Sequence, residues 1–233
     1  LETQTLQSFN NYLKTLLDQA SKKQSRGVVK LVSKPEFTFA YLRSNILLEK
    51  GIEHPKVQEL VNIIEKEIGE NASGKIIVFT QFRDTASIIS RKLNAIENVK
   101  AKIFVGQAKR INAGETTGLN QKEQRRVITE FSSGEINVLC ATSIGEEGLD
   151  IPEVNVVIFY EPIPSAIRAI QRAGRTARLI KGKLIILITK KTRDEAYFYV
   201  SKVREKKMHV AIDSIKKDMN EKAKETKESQ KIL

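Results

Sequence analysis

An arginine-rich octet is the stretch of this sequence with the clearest chemical use. It reads Gln-Arg-Ala-Gly-Arg-Thr-Ala-Arg and runs from Gln171 to Arg178. Arg175 and Arg178 are i,i+3 neighbours, so on a helix their side chains point the same way. Planar guanidinium groups bind phosphate oxygens in pairs, so this spacing suits a polyphosphate. The ordinary alternative is a solvated basic helix, and the octet alone leaves both interpretations open.

A second segment that could bind a ligand follows the apolar run 136–141. Thr142 and Ser143, with their backbone N–H groups, could hold a phosphate without reading base sequence. Gly148 lets the backbone approach a ligand closely, and Asp150 could accept a hydrogen bond from a ribose hydroxyl. A turn followed by an acidic first helical turn is the structural alternative.

Two phosphate-binding motifs are missing from the sequence. It contains no G-x-x-x-x-G-K-[ST] loop and no G-x-G pair. The chain therefore carries arginines suited to a triphosphate but no motif that binds the phosphates or a magnesium ion itself. This combination predicts half of an active site, in which an arginine reaches a nucleotide held by another lobe. Such an arginine is worth roughly 10³–10⁵ in rate.

The composition favours an anionic partner and excludes several classes of protein. The net charge is +12 and the isoelectric point is near 9.7, which favours nucleic acid. One Cys and two His exclude a disulfide framework and a four-ligand zinc site, and we predict no metal ligands. No apolar run approaches the roughly 20 residues that span a bilayer, and no signal peptide is visible. We expect a cytoplasmic protein without a membrane partner, associated with the nucleoid if it is prokaryotic.

The hydrophobic pattern predicts helices first and then an alternation of strands and helices. Residues 1–50 show helical spacing on both sides of a polar break at 21–27, with the second helix at 37–48. Strands are predicted at 76–79, 99–105, 136–141, 154–160 and 184–188, and helices at 55–69, 86–93, 120–131, 165–173 and after Thr192. Unbroken β-branched strands separated by helices are typical of an α/β fold, a parallel sheet with helices on both faces.

The loops after the predicted strands are the candidate ligand-binding sites. In a parallel sheet, ligands bind at the carboxyl ends of the strands. The polar residues in these loops are Thr80, Gln81 and Arg83, then Gly106, Gln107 and Lys109, then Thr142 and Ser143, and finally Glu161. All four loops should open on one edge of the sheet. Asp194 and Glu195 imitate a magnesium-binding tetrad, but they lie on a capped helix, so we predict capping and salt bridging for them.

These motifs, taken together, resemble those of superfamily-two helicases. The octet 171–178 resembles motif VI, residues 141–152 resemble motif V, and residues 76–82 resemble motif IV. The resemblance covers roughly residues 55–207. The segments 105–108, 160–168 and 192–197 are further similar to the archaeal Hef helicases and their FANCM-type relatives.

This resemblance implies the second, C-terminal RecA-like lobe of an ATP-dependent DNA helicase or translocase that acts on forked or branched DNA. ATP and Mg²⁺ would be held mainly by the first RecA-like lobe, which lies outside this sequence, so we expect the isolated chain to be inactive. Arg175 and Arg178 would be the catalytic residues that meet the γ-phosphate. The resemblance also implies an ATP-binding set of Gly148, Asp150, Gln171 and Arg172, and a nucleic-acid-binding set of Thr80, Gln81, Arg83, Gly106, Gln107, Thr142 and Ser143.

The same resemblance implies that residues 1–50 would end a helical insertion domain and that residues 51–210 would form the RecA-like domain. Residues 211–233 are rich in Lys and Glu and poor in large apolar groups, which predicts a charged helical or disordered tail. Two alternatives stay open: a non-catalytic basic nucleic-acid-binding module, and a lobe of an ATP-dependent RNA helicase. The sequence shows no aromatic platform that would select RNA by base stacking, so only the subfamily resemblance favours DNA.

Overall fold

A computed structural model describes residues 4–106, 110–112, 115–142, 152–162, 182–204 and 206–207 of the chain. The helices are α1 (Leu6–Ser21), α2 (Arg26–Val32), α3 (Pro35–Glu49), α4 (Pro55–Glu70), α5 (Arg83–Leu93) and α6 (Gln121–Ser133), followed by a helix α7 at 193–204. The strands are β1 (Ile76–Phe79), β2 (Ala101–Phe104), β3 (Arg110–Asn112), β4 (Glu115–Thr117), β5 (Val138–Ala141), β6 (Val156–Phe159) and β7 (Lys183–Ile186).

The helical segment, α1 to α3, differs from the prediction in one element. Thr5 caps α1 by accepting a hydrogen bond from the Ser8 amide. The predicted polar break at 21–27 is wrong beyond residue 25, because α2 begins at Arg26. The short helix is held by tertiary packing, since Val28 and Val32 lie against the small apolar cluster of the segment. Helix α3 begins earlier than predicted, because Pro35 occupies its first turn, where a missing N–H costs nothing.

The predicted parallel sheet is confirmed. Five strands lie in the order β2-β5-β1-β6-β7, and every pair in this sheet is parallel. Strands β1, β5 and β6 are buried on both faces, as expected for central strands covered by helices. Because successive strand residues point to opposite faces, Ile76 and Val78 pack with α4 and α5, whereas Ile77 and Phe79 pack with α6.

The ends of several elements differ from the prediction, for local reasons. Four of the five strands of the sheet are shorter than predicted, because the buried apolar run extends past the strand, as at Val105. Helix α4 runs one residue beyond Gly69, which was expected to end it. The β3–β4 hairpin was not predicted. The capping box of α6 is confirmed, with Asn120 and Glu123 bonding each other's backbone amides. The predicted helix at 165–173 lies outside the described residues.

Candidate functional site

The carboxyl ends of the strands meet at one edge of the sheet, as predicted. The last residues of four adjacent strands lie in the order Phe104, Ala141, Phe79 and Phe159. Ladder hydrogen bonds continue one residue further. The amides of Thr80, Thr142 and Tyr160 donate to the neighbouring strands at 2.9, 3.1 and 3.0 Å. The first residue of each loop is therefore held rigidly at this edge.

The loop after β1 is organised by Thr80 and Glu161. Thr80 is fully buried, and its Oγ1 donates to the Phe82 carbonyl at 2.8 Å, which turns the chain into α5. The buried carboxylate of Glu161 accepts the Gln81 amide across the edge. The side chain of Gln81 is exposed, and Arg83 is half-buried. The geometry thus gives Thr80 a positioning role, whereas Gln81 and Phe82 have exposed side chains and Arg83 is half-buried.

The loop after β2 is tied to α6. The Gln124 side chain is buried and donates to the Val105 carbonyl at 3.0 Å. The Gly106 carbonyl accepts the Leu119 amide at 3.3 Å. These bonds place Gly106 next to the residues that lead into α6.

Several predicted site residues lie outside the described part of the chain. These are Gln107, Ser143, Gly148, Asp150, Gln171, Arg172, Arg175 and Arg178. Their roles stay predictions. The structure does bring Thr80, Gln81, Arg83, Gly106 and Thr142 to one edge. Sequence reasoning noticed Glu161 only as a polar loop residue. The position of Glu161, as a single carboxylate immediately after an apolar strand, is the sequence signal that could have indicated its buried structural role.

Asp194 is a structural residue, as predicted, and does not suit a magnesium ion. Its fully buried carboxylate pairs with the buried ammonium group of Lys56 and accepts the Thr189 amide at 3.1 Å. Lys56 also lies 5.4 Å from the centroid of the Tyr160 ring. The pair joins α4 to the start of α7, 138 residues later. Across the described ranges, no cluster of three or more His, Cys, Asp or Glu side chains could hold a metal ion.

Neither Cys140 nor Tyr160 is available for acid–base or nucleophilic chemistry. Burial raises the pKa of the Cys140 thiol to about 12, and burial also raises the pKa of Tyr160, helped by the nearby carboxylate of Glu161. The buried Cys140 thiol is therefore inert. No helix among the described residues is both long and apolar enough to span a bilayer.

Three comparisons with known proteins bear on this site. The family model described as "Helicase conserved C-terminal domain" matches residues 55–180. The helicase domain of Hef from Pyrococcus furiosus is similar in structure, with a TM-score of 0.65 and 44% sequence identity, over 86% of this chain and 40% of that one. This similarity confirms the predicted RecA-like fold.

Two curated relatives carry different names. A protein of Methanocaldococcus jannaschii, provisionally named an ATP-dependent RNA helicase, is 39% identical over 89% of this chain and 25% of its own length. The ATP-dependent DNA helicase mph1 of Sclerotinia sclerotiorum is 36% identical over 77% of this chain and 15% of its own length. The chain thus spans about a quarter or less of the length of these relatives.

Proposed function

This chain belongs to the helicase conserved C-terminal domain family, and we propose that it is the second motor lobe of an ATP-dependent DNA helicase or translocase acting on forked or branched DNA. The full-length protein would couple ATP hydrolysis to closure of two lobes and to stepping along a strand. Phosphate contacts would make that movement independent of base sequence. Such a motor would act in the cytoplasm, and in a prokaryote it would act at the nucleoid.

The observation that carries the proposal is the family match over residues 55–180, which includes the arginine octet, in a sequence that has no P-loop. A lobe with arginines but no phosphate-binding loop needs a nucleotide that another lobe holds together with Mg²⁺. Arg175 and Arg178 would then stabilise the charge that develops on the γ-phosphoryl group. Gly148, Asp150, Gln171 and Arg172 would complete the nucleotide side of the interface between the lobes.

The nucleic-acid side of the proposal rests on the carboxyl edge of the sheet. The exposed Gln81 side chain, the half-buried Arg83 and the backbone around Gly106 lie along this edge. Gln107 and Ser143 would extend the same track, and Thr80 and Thr142 would hold its loops in place. The net charge of +12 supports binding to a polyanion.

The decisive experiment measures ATP hydrolysis in the full-length protein that contains both lobes. We expect Arg178→Ala to lower the DNA-stimulated rate by roughly 10³-fold or more, because the charge on the transferring phosphoryl group loses its partner. Arg91→Ala is the matched control, since Arg91 is an exposed arginine in the last turn of α5, at the opposite end of the helix from the carboxyl edge. DNA binding by both variants should stay within about two-fold of wild type.

Two results would contradict this proposal. An unchanged hydrolysis rate in Arg178→Ala would remove the arginine from the catalytic step. Catalytic ATP hydrolysis by the 233-residue chain alone would show that no second lobe is needed. Loss of hydrolysis and DNA binding together, with a lowered melting temperature, would indicate misfolding, and Arg178→Lys would then replace Arg178→Ala in the test.

An RNA helicase lobe is the second candidate, favoured by the name of the Methanocaldococcus relative. Both candidates use the same nucleotide chemistry, so hydrolysis alone does not separate them. We expect forked DNA to stimulate the full-length enzyme more than single-stranded DNA or RNA of the same length. Greater stimulation by RNA would replace the DNA proposal with the RNA one.

A further inference from the structure

A cleft with aromatic walls lies where the helical segment meets the carboxyl edge of the sheet. One wall is α1 and the other is the start of α5. The lining residues, which we call the aromatic cleft, are Gln4, Ser8, Tyr12, Thr15, Phe82, Arg83 and Asp84. Its volume is about 530 Å³, within the range of pockets that hold small organic groups.

The two walls of the aromatic cleft are held together by buried hydroxyl groups. The Thr5 hydroxyl donates to Ser8 Oγ at 2.9 Å, and Ser8 Oγ lies 3.2 Å from the hydroxyl of Thr85. All three side chains are almost completely buried. Because Ser8 lies on α1 and Thr85 in the first turn of α5, this series of hydroxyl hydrogen bonds fixes the distance between the two walls. The cleft is therefore preformed.

Each wall presents an exposed aromatic ring. Tyr12, one turn after Ser8 on α1, is 57% exposed, and Phe82, immediately before α5, is 37% exposed. The Phe82 carbonyl accepts the Thr80 hydroxyl, so the backbone that carries this ring is fixed to the sheet edge. Two positioned rings left in water across one cleft provide flat apolar surface for a planar ligand.

The charges in the cleft favour a planar heterocycle over an isolated phosphate. Arg83 and Asp84 are adjacent and opposite in sign, so the cleft has little net charge. A guanidinium plane stacks on rings, and a carboxylate accepts hydrogen bonds from exocyclic amino groups. Phe82, which lines the cleft, directly follows Gln81 at the edge where the proposed DNA track runs.

We propose that the aromatic cleft binds one unstacked base of single-stranded DNA between Tyr12 and Phe82, so that the helical segment contributes a base-binding wall to the motor lobe. This inference rests on the proposed function, since the strand reaches the cleft along the same sheet edge. Stacking on aromatic side chains tolerates any base, which suits a motor that does not read sequence.

The test uses the 233-residue chain and a single-stranded oligodeoxynucleotide carrying one 2-aminopurine, whose fluorescence falls when it stacks. We expect wild type to quench the probe. Tyr12→Ala and Phe82→Ala should each lower affinity about ten-fold and abolish most of the quenching. Tyr12→Phe and Phe82→Tyr should retain both, because the ring remains. Phe39→Ala is the matched control, since Phe39 is an aromatic residue 71% exposed outside the cleft.

The double variant Tyr12→Ala with Phe82→Ala tests whether both rings hold the same base. If they do, the affinity of the double variant should fall no more than about two-fold below that of the weaker single variant, because removing either ring already removes most of the stacking on that base. The salt dependence of binding should match wild type in both single variants, because neither removes a phosphate contact.

Several outcomes would overturn the base-binding site. One is wild-type affinity and quenching in both alanine variants. Another is the same loss in Phe39→Ala. A third is a chain that binds no oligonucleotide at all. None of these touches ATP hydrolysis by the joined lobes, which tests the motor function separately. Equal quenching with an RNA strand of the same sequence would extend the site to RNA.

Discussion

The RecA-like lobe and the helical segment are built on very different cores. The sheet of the lobe is covered on both faces, and its three central strands are completely buried. Among its described residues, the helical segment buries four apolar side chains, Leu6, Leu13, Leu16 and Phe37, and the last three form its own small cluster. It leaves Phe39 and Leu42 more than half exposed. The lobe is therefore stable through its own core, whereas the segment depends on its contacts with the lobe.

The contacts between the two regions include two hydrogen bonds. The Ser8 hydroxyl meets Thr85, and the Leu6 amide donates to the carboxylate of Glu53 at the start of the lobe. Hydrogen bonds are directional, so they fix where α1 lies without adding much apolar burial. The segment is therefore held in a fixed position on a lobe that is stabilised by its own core. Four predictions test this difference between the two regions.

The largest effects should come from the two cores. Phe159 is buried and its ring lies 5.9 Å from that of Phe79. Phe159→Ala should lower the free energy of unfolding by about 3–5 kcal/mol, and Leu16→Ala by an amount near the lower end of ~2–5 kcal/mol. In hydrogen exchange, Phe159→Ala should speed exchange in both regions, and Leu16→Ala only in α1 to α3. Faster exchange of β1 in Leu16→Ala would mean that the segment and lobe unfold together.

The buried ion pair of the lobe should come next. Asp194→Ala leaves Lys56 buried without its carboxylate, so we expect a loss of about 3–5 kcal/mol in urea unfolding. Replacing both residues, by Lys56→Met with Asp194→Leu, should recover most of that loss. The exposed pair of Lys66 and Glu70, 4.0 Å apart, is the matched control, and Lys66→Ala should change stability by less than about 1 kcal/mol. An unstable double replacement would show that the charges themselves are needed.

The joint between the two regions should show a smaller effect. Ser8→Ala should cost about 1 kcal/mol, because the Thr85 hydroxyl loses its partner. A double-mutant cycle of Ser8→Ala and Thr85→Ala, followed by thermal melting, should give a coupling of about 0.5–1 kcal/mol. Thr85→Ser keeps the hydroxyl and should keep the coupling. Purely additive effects would mean that this contact does not hold α1 in place.

The smallest effect should be a pH dependence at the junction between the regions. His54 caps α4, its Nδ1 accepting the Lys56 amide at 3.2 Å. Burial lowers the pKa of His54 below its ordinary 6.5, with help from the nearby Lys56 charge and against the opposing effect of Glu53 and Asp194. The unfolded chain therefore binds a proton more readily than the folded one.

The free energy of unfolding should accordingly be highest above pH 6.5 and fall as the pH drops below it. His54→Asn keeps a capping side chain and removes this titration. Its stability, measured by urea unfolding between about pH 7 and 5, should change less with pH than that of wild type. An equal slope in both proteins would assign the pH dependence to other groups.

Local patterns in the sequence predicted most of the elements. The run Ile76–Phe79 was placed correctly as a buried strand because its residues are apolar and β-branched or aromatic without interruption. The capping box of Asn120 and Glu123 located the start of α6. Helix α2 was missed because its seven residues are stabilised by packing on the rest of the segment, which no local pattern reveals.

The candidate site was predicted in part. Because the strands run parallel, the loops after them lie at one edge of the sheet. Thr80, Gln81, Gly106 and Thr142 were therefore grouped correctly at that edge. The interpretation that Thr80 touches DNA did not anticipate that its hydroxyl is buried and bonded to the Phe82 carbonyl. No local pattern indicated the aromatic cleft, because Tyr12 and Phe82 are 70 residues apart in sequence.

The sequence by itself determined the class of fold and most of its elements, and the order of its motifs indicated the helicase family, because periodicity, capping and motif order are local properties of a chain. Only the tertiary structure decided which distant residues meet. It paired Lys56 with Asp194, joined Ser8 to Thr85, and brought Tyr12 and Phe82 to one cleft. Such contacts depend on how helices dock onto the sheet, and docking is governed by the sum of many packing interactions that no short pattern encodes.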